Sequence, residues 1–313
     1  MRGTSLLFLL GGLLAIPAQA ADALDWIKRL AEVDRQQSYQ GTFIYERNGV
    51  FSTHEVWHRV QNDGAVLERL LQLDGPRQEV IRKNDTAQCL GGGLAEQFAD
   101  GQLWPSRKFN ADELKSWYDL RVAGESRIAD RPVVVLSVKP RDQHRYGFEL
   151  YLDKETALPL KSLLLNEKGQ LLERLQFTRM DVSRPEDAQF QPSGNCKAVR
   201  ESTLETVQAN WHSEWVPPGF SLDHSYKWHS PVSDEQVLCL SFDDGLARFS
   251  VFLEPLRGSR VDEIRTQLGP TSVVSKHLAT DDGGMMVTVV GEIPSGTAER
   301  VALSMRPQGG APK

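Results

Sequence analysis

Residues 39–60 read YQGTFIYERNGVFSTHEVWHRV and contain the clearest structural signal in the chain. The dipeptide Asn48-Gly49 lies between two stretches rich in aromatic and β-branched residues, and it is typical of a two-residue β-hairpin turn. Side chains along each stretch alternate between the two faces of a strand. The segment therefore predicts two antiparallel strands, at 39–46 and 50–60, joined by a tight turn.

The same strand pattern continues outward from this hairpin over most of the chain. Runs of β-forming residues are bounded by Gly, Pro, Asn or Asp. Before residue 184 we expect further strands, the last three as an antiparallel meander, at 65–73, 77–83, 120–127, 131–139, 145–152, 158–165 and 170–181. After residue 210 we expect strands at 220–228, 237–242, 247–254, 272–279 and 285–291. The predicted fold class is therefore mainly β with α, an α+β protein.

Helical spacing of apolar residues interrupts the strands at a few places. It predicts helices at 23–35, 94–99, 110–117, 261–268 and 296–305. In the third of these, Asn110 is a typical N-cap, and Glu113 completes a capping box. We expect the whole stretch 89–118 to be an irregular helical insertion.

Residues 1–20 have the pattern of a secretory signal peptide. Arg2 is followed by a short apolar run and then by Ala18-Gln19-Ala20, small residues suited to cleavage before Ala21. The run is about half of the roughly 20 residues that span a bilayer, so a permanent anchor is not expected. We therefore expect an exported soluble protein that does not span the membrane, with a buried N-terminal helix as the alternative.

The length of 313 residues is sufficient for one large or two ordinary domains. The periodic pattern fades at 184–210, a stretch rich in Pro and polar residues, which we interpret as a linker. This predicts a first domain at 21–183, a second at 211–308 and a flexible tail at 309–313. The net charge of −6 disfavours nucleic acid as a partner.

The three cysteines, Cys89, Cys196 and Cys239, permit one disulfide in an oxidising compartment. They contain no Cys-x-x-Cys pair, so their spacing does not identify the partners. We expect Cys196 to pair with Cys239 and Cys89 to be a buried free thiol. Three unpaired thiols are the alternative.

Residues that commonly perform catalysis or bind metal do not form a recognisable motif. His54 and His58 have the spacing of a metal pair on a helix, but four residues along a strand are about 13 Å apart, too far for one ion. The segment around Ser221 is not a G-x-S-x-G nucleophile motif. We expect no metal, no cofactor and no enzyme activity, with a hydrolase using His224 or His229 as the alternative.

Apolar residues are numerous enough on some strands to cover both faces of a sheet. Residues 163–165, for example, are all leucine. An antiparallel sheet that buries both faces needs cover on each side. Helices can cover one face, and the other is predicted either to line a lipid-sized cavity or to form an ordinary core.

Several longer segments are far more specific than any short motif. They are YQGTFIY (39–45), EVWHR (55–59), GAVLERLLQLDG (64–75), QHRYGFELYL (143–152), LPLKS (158–162) and WHSEWVPPGF (211–220). Together they resemble the RseB/MucB family, periplasmic regulators of an extracytoplasmic-function sigma factor in Gram-negative bacteria. The similarity covers nearly the whole chain, and it is closest to the branch linked to alginate control.

The resemblance implies a fold and a function. Its first domain would be an unclosed antiparallel barrel wrapped on helices, similar to the lipoprotein carriers LolA and LolB, and its second a smaller α+β domain. The protein would bind the periplasmic part of an anti-sigma factor of RseA or MucA type and shield it from regulated proteolysis. Lipopolysaccharide or mislocalised lipoproteins would displace it, and a homodimer is compatible with the resemblance.

Strand position indicates which residues contact lipid in the first domain: Phe43, Tyr45, Trp57, Leu71, Phe148 and Leu150. For the anti-sigma contact we favour the second domain and these residues: Trp215, Phe220, Arg248, Phe249, Phe252 and Arg257. An ordinary role in the core is the alternative for the apolar members. A lipoprotein carrier without a regulatory partner is the alternative function, although a carrier would need only the first domain.

Overall fold

The computed structural model describes residues 16–84, 86–91, 110–194, 196–198, 205–229, 236–256, 262–280 and 283–308. Over these residues the chain forms an 11-stranded and a 7-stranded sheet, a 2-stranded ribbon and three α-helices. The predicted class, mainly β with α, is confirmed.

The first sheet is antiparallel and unclosed, as the family resemblance implies. Its strands are β1 (Tyr39–Arg47), β2 (Val50–Val60), β3 (Val66–Gln72), β4 (Glu79–Lys83), β5 (Thr86–Gly91), β6 (Tyr118–Ile128), β7 (Arg131–Pro140), β8 (Gly147–Asp153), β9 (Pro159–Leu165), β10 (Leu171–Asp181) and β11 (Lys197–Ala198). They lie in the order β11-β5-β4-β3-β2-β1-β10-β9-β8-β7-β6. Strands β11 and β6 are therefore its edges and, in the described part of the chain, do not pair with each other.

The second sheet is also antiparallel. The strands after residue 204 are β12 (Glu205–Thr206), β13 (Trp211–Ser213), β14 (Ser221–His229), β15 (Gln236–Asp243), β16 (Arg248–Pro255), β17 (Arg265–Leu268), β18 (Thr271–Leu278), β19 (Met285–Gly291) and β20 (Met305–Pro307). The sheet has the order β12-β14-β15-β16-β19-β18-β17, and β13 pairs with β20 in the separate ribbon.

The helices are α1 (Ile16–Gln36), α2 (Ala111–Trp117) and α3 (Ser295–Leu303), with a short 3₁₀ helix at Asp187–Phe190. The first sheet with α1 and α2 is called the first unit below. The second sheet with α3 and the ribbon is called the second unit.

Helix α1 packs against one face of the first sheet, called the inner face. Ile27 and Leu30 of α1 belong to the same buried apolar cluster as Phe43 of β1 and Phe177 of β10. Complete burial of such a side chain contributes about 1.5–3 kcal/mol. The core of the first unit therefore lies between α1 and the inner face.

The hairpin turn predicted at Asn48-Gly49 is confirmed. Arg47 and Val50 are the last paired residues of the two strands, and the φ angles of Asn48 and Gly49 are 55° and 71°. Positive φ at both positions is the mark of a type I′ turn, whose twist matches that of the flanking strands. Asn and Gly adopt this conformation at lower cost than other residues, which is why the dipeptide was informative.

The N-cap predicted at Asn110 is confirmed. Its side-chain oxygen accepts a hydrogen bond from the Asp112 N–H at 3.0 Å. Glu113 accepts a hydrogen bond from the side-chain amide of Asn110 at 2.9 Å, so the two side chains are joined directly. The helix predicted at 94–99 lies outside the described residues.

The helix predicted at 261–268 is wrong. The stretch contains β17, which pairs with β18 across a turn where Gly269 has a φ of +62°. The spacing of Ile264 and Leu268 suggested a buried helical face, but the exposed fraction of Ile264 is 47% and that of Leu268 is 57%. The segment has no apolar surface to pack against as a helix. Its backbone groups instead form hydrogen bonds with β18 at the edge of the sheet, and this pairing decides the structure in spite of the helical spacing.

The expected pairing of Cys196 with Cys239 is also wrong. The disulfide joins Cys89 to Cys196, whose Cα atoms are 5.5 Å apart, and Cys239 is buried in β15 of the second sheet. The sequence reading missed β5 because residues 89–118 were interpreted as an irregular helical insertion. Strand β11 returns to the first sheet beside β5, and this brings Cys196 next to Cys89.

The N-terminal and domain predictions are left open by the structure. Helix α1 begins at Ile16, whereas residues 1–15 lie outside the described residues, so cleavage before Ala21 stays a prediction. None of the helices in the described ranges is long and apolar enough to cross a membrane. The linker at 184–210 also stays a prediction, and the tail at 309–313 is not described.

A methyl group at Gly41 would collide with the neighbouring strand. A Cβ at this position would lie 2.4 Å from the carbonyl oxygen of Arg179 and 2.9 Å from the ring of Phe177. We expect Gly41→Ala to lower the free energy of unfolding by about 1–3 kcal/mol, because β10 must move away from β1. Urea denaturation followed by fluorescence measures this change.

Gly296→Ala in α3 is the matched control. A Cβ at Gly296 meets no atom within 4 Å, so we expect an unchanged free energy of unfolding or a gain of up to about 1 kcal/mol. An equal effect of the two substitutions would contradict the close approach at Gly41.

Candidate functional site

The inner face contains four of the residues predicted to contact lipid. Phe43, Tyr45 and Leu150 are buried in the apolar cluster beneath α1, and Phe148 packs against that cluster. Strand pairing from β1 through β10 and β9 to β8 places Tyr45 and Leu150 on the same face. The inner face is therefore apolar, and in this structure α1 covers it.

Trp57 and Leu71 lie on the opposite, outer face of the first sheet. Their neighbours Val56 and Leu70 belong to the cluster beneath α1, and side chains alternate along a strand. The guanidinium carbon of Arg69 lies 5.0 Å from the centre of the Trp57 ring. The six residues predicted to contact lipid thus belong to two surfaces rather than to one pocket.

A buried imidazole lies on the inner face. The ring of His54 stacks on Phe43 with centroids 5.1 Å apart, and its Nε2 lies 2.8 Å from the Ser52 hydroxyl. Burial lowers the pKa of His54 to about 4, so the ring is neutral at neutral pH. His58 faces the same side, and its Nε2 lies 2.7 Å from the carbonyl oxygen of Asp34.

A carboxyl group that titrates near neutral pH lies where the units meet. Glu173 of β10 accepts a hydrogen bond from the Tyr45 hydroxyl at 2.7 Å. Burial raises the pKa of Glu173 to about 7, the negative charge of Glu292 contributes to the rise, and Tyr45 and Arg47 oppose it. Glu292 belongs to the second unit, and Arg47 donates a hydrogen bond to Thr271 of that unit.

The two units also meet around one buried guanidinium group. Arg145, in the loop between β7 and β8, donates hydrogen bonds to both oxygens of Asp142, at 3.2 and 2.9 Å. Its remaining bonds cross to the second unit and reach the Asp244 carboxylate and the Pro218 carbonyl. Asp244 also accepts a hydrogen bond from the Tyr118 hydroxyl at 2.9 Å. Charge-assisted bonds from both units therefore compensate the burial of these charges.

Aromatic rings surround the same guanidinium. Its carbon lies 5.9 Å from the Trp117 ring, 5.4 Å from the Tyr118 ring and 5.0 Å from the Phe220 ring. A Cβ on Gly219, whose φ is +89°, would lie 2.4 Å from Nε1 of Trp117. Only glycine allows Trp117 to approach the second unit this closely.

Residues 141–146, called the docking loop, make further contacts with the second unit. Nδ1 of His144 lies 3.2 Å from the Thr297 hydroxyl of α3. The Tyr146 hydroxyl accepts a hydrogen bond from Gln267 of β17 at 3.1 Å. Three successive residues of the loop therefore contact the second unit.

Three of the residues predicted to contact the anti-sigma factor instead make contacts within this protein. The ring of Trp215 lies 5.1 Å from that of His144, and Phe220 contacts Arg145. Phe249 is buried in the core of the second unit, beside α3. Phe220 and Phe249 are buried in the core, whereas Trp215 is half-buried and packs against it.

Two other predicted contacts lie on the opposite face of the second sheet, called the open face. Arg248 and Phe252 are half-buried there, because they alternate with Phe249 along β16. Nε of Arg248 lies 3.2 Å from a carboxylate oxygen of Asp243, and its Nη2 lies 3.6 Å from a carboxylate oxygen of Asp223. Arg257 lies outside the described residues.

Comparison with known proteins assigns the chain to a family. The MucB/RseB N-terminal domain model matches residues 22–201, and the MucB/RseB C-terminal domain model matches residues 205–306. The chain belongs to the MucB/RseB family. The resemblance to the RseB/MucB family is thereby confirmed.

The relatives in this family are named as regulators of sigma factors. The sigma factor AlgU regulatory protein MucB of Pseudomonas aeruginosa is 64% identical over 316 residues, which cover 100% of both chains. The sigma-E factor regulatory protein RseB of Escherichia coli K12 is 27% identical, over 93% of this chain and 92% of its own. The solved complex of Pseudomonas aeruginosa MucA and MucB matches 92% of this chain and 100% of that chain, with 64% identity and a TM-score of 0.82.

Sequence reasoning did not identify the docking loop, although it singled out the segments that form the junction. The stretch at 143–152 contains most of the docking loop, and the stretch at 211–220 contains Trp215, Gly219 and Phe220. Their high content of aromatic and charged residues was a usable signal, because an ordinary strand or turn does not require it. Only the structure shows that the two stretches meet.

Arg145→Met tests the ion pair at the junction. We expect the free energy of unfolding to fall by about 3–5 kcal/mol, because Asp244 would stay buried without its cationic partner. Urea denaturation measures the loss. The control is Arg121→Met, since Arg121 is exposed and its ion pair with Asp119 is worth at most about 1 kcal/mol. Similar losses in the two variants would contradict the role assigned to Arg145.

Glu173 should make the stability of the protein fall as pH rises from 4.5 to 7, whereas His54, whose pKa is lowered to about 4, should make it rise between pH 4 and 6.5. The pKa of Glu173 is raised to about 7 in the folded protein, so its contribution is complete below the unfolded pKa and is lost as pH rises through the folded value. We expect this group to remove up to about 3 kcal/mol over that range. Urea denaturation at several pH values measures the slope.

Glu173→Gln should remove the fall that Glu173 causes, so between pH 4.5 and 7 the free energy of unfolding of this variant should rise relative to that of the unsubstituted protein. Glu125→Gln, at an exposed position, should leave the pH dependence unchanged. The comparison between variants is needed because His58 adds to the fall and His54 opposes it. Burial opposes the charge of His58, but the Glu68 carboxylate, which lies 3.6 Å from Nδ1 of His58, raises its pKa overall. An unchanged slope in Glu173→Gln would contradict the assignment to Glu173.

Proposed function

We propose that this protein is a periplasmic negative regulator of an extracytoplasmic-function sigma factor. It binds the periplasmic region of a membrane-spanning anti-sigma factor of MucA or RseA type and shields that region from regulated proteolysis. Lipid signals, lipopolysaccharide or mislocalised lipoproteins, release it. The observation that carries the proposal is the 64% identity with MucB over the full length of both chains, together with the solved complexes of MucB with MucA.

The contact with the anti-sigma factor is assigned to the second unit. Arg248 and Phe252 support this assignment, because they are half-exposed on the open face, opposite α3. Arg257 stays a candidate on the basis of its charge and its position after β16. Trp215, Phe220 and Phe249 act indirectly, by fixing the second unit on the first and filling its core.

The lipid is assigned to the inner face of the first unit. An acyl chain of about ten methylenes gains roughly 8 kcal/mol on burial, which is enough to compete with α1 for the apolar strands. Ligand shifts the protein toward release only if it binds the released conformation more tightly. Leu150 and Phe148 of β8 directly follow the docking loop, so an acyl chain beneath β8 has a short route to Arg145.

A protease-protection assay tests the proposal. The purified mature protein is added to the periplasmic region of the anti-sigma factor and its processing protease, and the cleavage rate is measured with and without lipopolysaccharide. We expect the protein to slow cleavage and lipopolysaccharide to restore it. Unchanged cleavage in the presence of the protein would refute the regulatory role, and binding and transfer of lipid alone would favour a carrier.

Substitutions on the two faces of the second sheet locate the contact. We expect Arg248→Ala and Phe252→Ala each to weaken binding to the anti-sigma region about 10- to 100-fold, the effect of removing an interface anchor. Arg265→Ala is the control, because Arg265 contacts Glu299 of α3 at 2.6 Å, away from the open face. Calorimetric titration measures the affinities, and equal affinity of all variants would exclude the open face.

A further inference from the structure

The described residues 185–194 and 196–198, called the strap, run along the outer face of the first sheet and end beside β5. The disulfide between Cys89 and Cys196 fixes one end of the strap, where Ala198 pairs with Cys89. The next described strand, β12, belongs to the second sheet. The strap is therefore both a cover on the first unit and part of the covalent connection to the second.

Arg59 binds the first part of the strap. Its Nη1 donates a hydrogen bond to the Pro185 carbonyl at 3.1 Å, and its Nη2 lies 2.7 Å from one oxygen of Asp187. Its guanidinium carbon lies 4.7 Å from the centre of the Phe190 ring. One arginine of the sheet thus recognises a carbonyl, a carboxylate and an aromatic ring of the strap.

Arg69 and Glu79 bind the middle of the strap. Nη1 of Arg69 donates a hydrogen bond to the Gln189 carbonyl at 2.8 Å, while its Nη2 lies 2.6 Å from Glu79. The Ser193 N–H donates to Glu79 at 3.0 Å. The Ser193 hydroxyl also donates a hydrogen bond to Glu79, so the middle of the strap is held through two backbone groups and one side chain.

The strap itself buries few side chains. Pro185 is its buried member, and 88% of the Asp187 side chain is exposed. The residues beneath it, Trp57, Arg59 and Ile81, are buried. Lifting the strap would therefore hydrate Trp57 and Ile81 as well as the polar groups of Arg59 and Arg69, and would open a surface of these four side chains.

The pairing between Arg59 and the strap is incomplete. Arg59 is 9% exposed, and among the described residues its buried Nε has no hydrogen-bond partner. Asp187 contacts only Nη2, although Nε and Nη2 form the edge of the guanidinium that binds a carboxylate through two parallel hydrogen bonds. A ligand carboxylate placed side-on would satisfy a donor that Asp187 leaves unsatisfied.

We propose that the strap covers a second binding site, formed by Trp57, Arg59 and Arg69, for a peptide that forms one 3₁₀ turn with an acidic residue three positions before an aromatic one, as Asp187 and Phe190 do. The chain's own Asp187 and Phe190 occupy this site as a tethered substitute. The ligand carboxylate binds Arg59 side-on, its ring packs on the same guanidinium, and its backbone accepts from Arg69. The disulfide keeps the strap at high effective concentration, so an external peptide competes poorly until the strap is loosened. The site is separate from the proposed contact with the anti-sigma factor.

Peptide binding to a strap-released protein tests this proposal. The probe is a fluorescein-labelled peptide of residues 184–193, RPEDAQFQPS, titrated by anisotropy into the full chain. The strap-released variant combines Cys89→Ser, Cys196→Ser and Asp187→Asn. We expect it to bind the probe at least tenfold more tightly than the oxidised unsubstituted protein does, and hydrogen exchange should show faster exchange across 185–198.

Two further substitutions test the chemistry of the site. Added to the strap-released variant, Arg59→Lys should weaken probe binding at least tenfold, because an ammonium group cannot bind a carboxylate side-on. Arg179→Lys is the matched control, since Arg179 pairs with Glu55 at 3.2 Å instead of with the strap. Equal affinity of the Arg59→Lys and Arg179→Lys proteins would overturn the assignment to Arg59.

The remaining outcomes are also decisive. Unchanged protection of the strap amides in the released variant would overturn the idea of a removable cover. A released strap without tighter peptide binding would overturn the binding site. The Asp187→Asn protein with its disulfide reduced by dithiothreitol gives the same comparison without the serine substitutions.

Discussion

The arrangement of the molecule depends on the ion pair between Arg145 and Asp244. Both side chains are fully buried, and they come from different units. A buried charge without its partner is strongly unfavourable, whereas a pair with complete hydrogen bonding is tolerated. The ion pair that joins the two units is therefore stable when both partners are in place and unfavourable when one of them is displaced. Such a contact favours two discrete arrangements of the units over intermediate ones.

This pair connects the surfaces to which the proposed activities are assigned. The docking loop continues directly into β8, whose Leu150 lies in the apolar cluster beneath α1. Asp244 lies in the turn after β15, and Arg248 starts the strand that follows this turn. Movement of β8 would therefore be transmitted through one ion pair to the strands of the open face. The disulfide-linked strap is a second connection between the units, on the other face of the first sheet.

Local sequence patterns predicted the elements that depend on local physics. The type I′ turn at Asn48-Gly49 and the N-cap at Asn110 are confirmed, because each uses backbone geometry that few residues adopt. One failure is local, because β17 pairs with the adjacent β18 across a two-residue turn, and the other involves partners distant in the chain. The stretch 261–268 has helical spacing but pairs as an edge strand, and Cys196 bonds with Cys89 because β11 returns to the first sheet.

The sequence by itself determined the β-rich class, most strands, the apolar inner face and, through its longer segments, the MucB/RseB family. These follow from residue spacing and composition within short windows. Alternation and the register of the two-residue turn already place Trp57 on the face opposite Phe43, whereas only the tertiary structure decided that α1 covers the face of Phe43 and that Trp215 and Phe220 contact the first unit. The physical reason is that alternation along a strand fixes which side chains share a face but not what covers that face, which depends on segments far away in the chain.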